Sequence, residues 1–124
     1  MAGKSRRKGL GEAAFHSLWL AYVNGSTRRE LEFRLTKEEF RALTSAKCFY
    51  CGIPPISKKH GKIKTHGAYI YNGIDRVNNT AGYTADNCVT CCTDCNQSKH
   101  TRTQQEFYDW IKRLHANLSS KNLL

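Results

Sequence analysis

Long apolar runs are missing from this 124-residue chain: none approaches the roughly 20 residues needed to cross a bilayer, so no membrane association is expected. Acidic residues are scarce. Ten Asp and Glu face 20 Lys and Arg, leaving a formal charge of +10, which concentrates polyanions around the protein by long-range attraction. Nucleic acid is the expected partner, against the alternative of a merely solubilising surface charge. The opening "MAGKSRRKGLGEAAFHSLWLAYV" has a basic start but no small-residue cleavage site, and Glu12 and His16 interrupt its apolar residues. It therefore does not have the pattern of a secretory signal. A reducing intracellular compartment is expected, in which paired cysteines read as metal ligands before disulfides.

No internal repeat and no second domain are evident. Residues 1–10, with Lys4, Arg6, Arg7 and Lys8 between glycines, have the composition of a flexible basic arm. Residues 11–124 are expected to form one domain, with a core at about 47–100 and flanking helices within 11–46 and 103–118. From Gly11 to about Val23, Ala14, Leu18 and Ala21 beside Phe15, Trp19 and Tyr22 recur at helical spacing, and "NGS" at 24–26 is expected to stop the helix. Thr36 with Glu39 makes a capping-box signature, which predicts a helix from about Lys37 to Ala46. Thr103 with Glu106 repeats that signature before a helix carrying Phe107, Trp110, Ile111 and Leu114 on one face. Between them, "SKKHGKIKTHG" reads as an exposed loop. "AYIYNGIDRV" and "CVTCC" read as two strands joined by the turn-rich "NNTAGYTADN", and helical residues are expected from Thr93 or Asp94 through "CNQSKH". Tyr50, Tyr69, Tyr71 and Tyr83 are expected to pack in the core or the hairpin.

Six cysteines stand in this short chain. Cys48 and Cys51 lie in "CFYCGIPP", and Cys92 and Cys95 in "CTDCN". Two Cys-x-x-Cys knuckles supply four thiolates, the number a closed tetrahedral zinc site takes. Cys88 and Cys91 form an overlapping pair. The second knuckle is assigned to Cys92/Cys95 because that pair leads directly into Asn96, leaving Cys88 and Cys91 as small buried residues.

"GIDRVNNTAGYTADNCVTCCTDCN", together with the upstream "CFYCG", resembles the HNH endonuclease superfamily in its zinc-stapled four-cysteine form. The resemblance covers residues 47–100 and implies a small α+β domain of the ββα-metal type. Such a domain hydrolyses phosphodiester bonds in DNA with magnesium or another divalent cation beside the structural zinc. Onto the family pattern, Asp75 falls at the metal-binding position that ends the first strand. Asn87 falls at the loop-pinning asparagine, Asn96 at the metal-binding position on the helix, and His100 at a further ligand one turn on.

One position departs from the family. The usual general-base histidine is Arg76, whose guanidinium stays protonated and can clamp a phosphate but cannot accept a proton from water. His66, ahead of the first strand, is the candidate replacement base, with His60 more distant. Lys62, Lys64, Lys99 and Arg102 are candidates for a phosphate track. The alternative reading is a non-catalytic zinc module that binds DNA or RNA, for instance within a ribonucleoprotein or viral assembly.

Overall fold

The structure is a computed structural model that describes residues 9–124; the basic arm lies outside it except for Gly9 and Leu10. In chain order the elements are α1 (Glu12–Arg28), α2 (Lys37–Thr44), β1 (Ser57–His60), a 3-10 turn (Lys64–His66), β2 (Ala68–Tyr71), β3 (Gly73–Arg76), a 3-10 turn (Ala85–Asn87), β4 (Cys88–Cys91), α3 (Thr93–Lys99) and α4 (Gln104–Ser120). The strands form two antiparallel ribbons, β1 with β2 and β3 with β4. None of the described helices is long and apolar enough to cross a membrane.

Both expected capping boxes are formed. The Thr36 hydroxyl accepts from the Glu39 amide while the Glu39 carboxylate accepts from the Thr36 amide, and Thr103 with Glu106 does the same. The other local signals were partly overruled. Asn24, Gly25 and Ser26 lie inside α1, which runs on to Arg28. A mid-helix glycine costs only about 1 kcal/mol against alanine, and here the Ser26 and Thr27 hydroxyls bond back to the Val23 carbonyl within the helix. "SKKH" is a strand and not a loop, because it gains a partner that its polar sequence does not announce: Ser57 pairs with Tyr71, and His60 with Ala68.

The core lies where α1, α2 and the two ribbons meet. Phe15, Leu18, Leu35, Phe40, Ile74, Tyr83 and Cys88 are buried together, with Trp19, Tyr22, Phe33 and Tyr69 packed against them. Phe40 is surrounded edge-on by Trp19 and Tyr22, the geometry aromatic quadrupoles favour. A short parallel bridge pairs Phe33 with Tyr83 and fastens the loop after β3 to the segment between α1 and α2. At that bridge Gly82 is obligatory, since a Cβ there would run into the backbone of Glu32.

The two ribbons are joined directly. Asn72 alone separates β2 from β3. It is buried; its amide donates to the Thr44 carbonyl at 2.8 Å, and its side-chain nitrogen donates to the carbonyls of Ala46 and Ile53. This residue ties the end of α2, the first knuckle and both ribbons to one another.

Candidate active site

The four cysteines of the two knuckles converge. Their sulfurs all lie within 4.8 Å of one another, and those of Cys51 and Cys92 are 3.7 Å apart. Zinc–sulfur bonds of about 2.3 Å in a tetrahedron require sulfur–sulfur edges of about 3.8 Å, so the cluster has the dimensions of a closed metal site. The first knuckle turns at Gly52, whose φ of 78° is left-handed and whose amide donates to the Cys48 carbonyl. The second lies at the start of α3, where the Cys92 sulfur accepts from the Cys95 amide.

Burial pushes Cys92 and Cys95 upward, and neighbouring thiols add to it. At Cys48 burial also opposes ionisation, but amide donors from Cys51, Cys92 and Tyr50 outweigh it and bring the thiol down to about 6. A cation resolves this crowding by taking all four as thiolates. Cys88 and Cys91 stay outside the cluster, buried, and burial raises both thiols, Cys88 to about 11.

A second site opens beside the same helix. A cleft of about 240 Å³ receives Asp75 and Arg76 from β3, Asn96 and His100 from α3 and its end, and Arg29 from just beyond α1. Asn87 stands behind it and pins the loop. Its side-chain oxygen accepts from the Asn78 amide, and its nitrogen donates to the carbonyls of Asn78 and Gly82. Asn96 is exposed, and its side chain has no hydrogen-bond partner among the described residues. His100 leaves the helix with φ 53°. It is therefore the cap and not the next residue on a helical face, although its exposed ring still lines the cleft.

Asp75 is engaged more heavily than its position suggests. It is 5% exposed; its Oδ2 accepts from the Tyr50 hydroxyl at 2.7 Å, and the Lys99 ammonium lies 3.3–3.4 Å from its two carboxylate oxygens. Lys99 is fully buried. Its expected place on a phosphate track is thus corrected: no solvent reaches it, and it neutralises Asp75 from inside the protein. Gln104 of α4 completes the chain by donating to the Tyr50 hydroxyl, and burial raises that phenol, with the bond to Asp75 adding to the effect.

The remaining expected residues divide. Arg76 is at the cleft but partly occupied, donating to the carbonyls of Asn79 and Ala81 while its guanidinium lies 5.4 Å from the centre of the Tyr83 ring. Arg102 donates to the Ser98 carbonyl and stacks 4.7 Å over Trp110. Lys62, Lys64, His60 and His66 are exposed on the first ribbon and its connection, and none of them lines the cleft. His66 is instead engaged through its carbonyl, which accepts from the Gly11 amide, so the base expected there is not brought to Asp75. Arg29 was not foreseen. It donates to the Tyr83 hydroxyl at 3.0 Å and lines the cleft; a contact 54 positions distant leaves no local signal.

Comparison with known proteins places this geometry. A solved structure of the rare-cutting HNH restriction endonuclease PacI, described for its perturbation of DNA, superimposes with a TM-score of 0.58 over 96% of both chains at 16% identity. In sequence, an uncharacterized protein of Acanthamoeba polyphaga mimivirus, R423, is 39% identical over 89 residues, 72% of this chain and 14% of that protein. YoqL of Bacillus subtilis (strain 168), an SPbeta prophage-derived protein named as a candidate HNH endonuclease, is 32% identical over 80 residues, 63% of this chain and 32% of YoqL. The chain thus spans a third or less of these relatives. No protein-family model matches it. The solved structure and YoqL together support the resemblance to the HNH superfamily, and the fold is the small α+β one expected from it.

Proposed function

With an HNH-type fold as the premise, we propose that this chain carries a metal-dependent endonuclease site that hydrolyses phosphodiester bonds in DNA. The observation that supports it most is the convergence of Asp75, Arg76, Asn96 and His100 on one cleft with Asn87 pinned behind them. Their donors suit a hard cation: a carboxylate from Asp75 and an unencumbered amide oxygen from Asn96. Lys99, already in contact with both Asp75 oxygens, reduces the charge left for that ion. The residues therefore fit a weakly held, exchangeable cation. When bound, such an ion supplies Lewis-acid stabilisation of the charge that builds on the phosphate.

The chain's own groups do the rest. Arg29 and Arg76, both beside the Tyr83 ring, present guanidiniums to the cleft and hold the phosphate oxygens. His100 offers the imidazole in the cleft and accepts the proton of the attacking water, the role expected of His66. Asn87 fixes the loop that positions Arg76. The four-cysteine cluster, loaded with zinc, fixes the start of α3 and so the position of Asn96.

The test is supercoiled plasmid with Mg2+, Mn2+ or Ni2+, comparing wild type with Asn96→Ala. Asn96 is the cleaner choice because Asp75→Ala leaves a buried ammonium without its partner. Nicking or linearisation by wild type alone is expected.

A second reading, a zinc-stabilised nucleic-acid-binding module without catalysis, is favoured by the Lys99–Asp75 pair and by the arginine at the base position. Salt-sensitive binding with the plasmid left supercoiled under every metal would establish it.

A further inference from the structure

The β1–β2 ribbon has no part in the cleft, yet it is built as a surface. Its inner face is committed: the Tyr69 ring packs edge-on against Phe15 at 5.1 Å, and its hydroxyl meets that of Thr44. The start of α1 clamps the far end, with the Gly11 amide donating to the His66 carbonyl. Gly61 and Gly67 there approach the backbones of Ala13 and Gly11 too closely for Gly67 to carry a side chain.

The outer face is open. Lys58 pairs across the ribbon with Ile70, and both are exposed, as are Lys62, Ile63 and Lys64 in the connection and Ile56 just before the ribbon. No carboxylate occurs in the chain between Glu39 and Asp75. Neither strand nor connection can therefore neutralise these lysines, and the one acidic group in the first turn of α1, Glu12, is paired with Arg41 at 2.8 Å. A two-stranded ribbon with a cationic, partly apolar outer face suits duplex DNA, whose major groove admits an element of this width.

We propose that the outer face of the β1–β2 ribbon is a docking element for duplex DNA, seating the phosphate backbone on Lys58, Lys62 and Lys64. The proposal rests on the nuclease reading only for the identity of the nucleic acid. Because β2 passes into β3 through Asn72 alone, Ala68 stands at most about 23 Å from Asp75 at about 3.3 Å per residue. That is about seven base pairs of duplex at about 3.4 Å each. The paired part of the ribbon therefore lies within less than a helical turn of the cleft.

The experiment is fluorescence anisotropy of the full chain with a 30-base-pair duplex, without added divalent cation, across a salt series. The variants are Lys58→Ala/Lys62→Ala/Lys64→Ala and a charge-matched control on α4 and its C-cap, Lys112→Ala/Arg113→Ala/Lys121→Ala, with metal content and circular dichroism confirming that both fold. The ribbon variant is expected to bind roughly tenfold or more weakly, with the salt slope reduced by about 0.9 for each phosphate no longer neutralised, while the control stays near wild type. Equal losses in the two variants, no loss in the ribbon variant, or tighter binding of an RNA duplex of the same length would each overturn the proposal. Plasmid cleavage is scored separately. Cleavage with an indifferent ribbon sinks this proposal alone, whereas ribbon-dependent binding without cleavage sinks the nuclease reading alone.

Discussion

Two sites share α3, and they are built on opposite plans. At its first turn the four-cysteine cluster is closed: identical soft ligands, sulfurs within 4.8 Å of one another, and buried or half-buried cysteines apart from the exposed Cys51. At its other end the cleft is open, with one carboxylate, one amide and one imidazole arriving from two elements, and with a buried lysine already holding the carboxylate. A saturated site leaves no position for a substrate and can only hold structure. An undersaturated one holds its ion loosely and leaves room for phosphate and water. The seven residues of α3 convert the rigidity of the first into the alignment of the second.

The contrast is broken most violently at the cluster. With zinc in the cluster, as proposed, Cys92→Ala is expected to unfold the domain, because structural zinc contributes about 10–16 kcal/mol in zinc-finger peptides; near-ultraviolet circular dichroism and loss of bound metal would record it, and Cys88→Ala should still take up the ion. Metal uptake near neutral pH should also release protons, since burial keeps Cys92 and Cys95 protonated in the metal-free chain while Cys48 has already ionised near 6; the dependence of the binding enthalpy on buffer measures this.

Next in size is Lys99→Met. Stranding the Asp75 carboxylate should cost about 3–5 kcal/mol in urea denaturation, and Asp75→Leu in the same chain should restore most of it. If Lys99→Met were neutral, Lys99 would not be the internal counterion of Asp75.

Asn96→Ala acts on the cleft alone. Its side chain is exposed and without partners among the described residues, so stability should stay put while cleavage falls by at least about 100-fold, the upper end of what losing a supporting group around a metal costs. Arg29→Ala should be gentler, about tenfold in kcat/KM, below the 100-fold or more of an enclosed oxyanion donor. Arg29→Lys should recover only part of it, because an ammonium cannot reproduce the fork that meets phosphate and the Tyr83 hydroxyl together.

What could be read in advance follows the range of the signal. The knuckles, the two capping boxes and Asn87 are written in spacings of two to three residues or in an ordered motif, and each stands where expected. The burial of Lys99 was hidden, since a lysine in a polar helix looks like any solvated residue until a carboxylate 24 positions earlier is folded beneath it. Arg29 was concealed by the same local rule that stopped α1 at Asn24. The strand at Ser57–His60 escaped notice because its polar alternation is that of an exposed face, and only the partner strand identifies it.

The single residue between β2 and β3 also limits how this chain can vary in length. Because side chains alternate along a strand, one residue inserted or deleted at Asn72 would reverse the faces of one ribbon relative to the other, setting the Tyr69 packing against the Asp75–Lys99 contact. Insertions in the connection between β1 and β2, at exposed positions such as Ile63, would leave that parity intact. Changes in length are therefore expected to be tolerated best at the ribbon's far end, where they would re-space the proposed DNA contacts without moving Asp75.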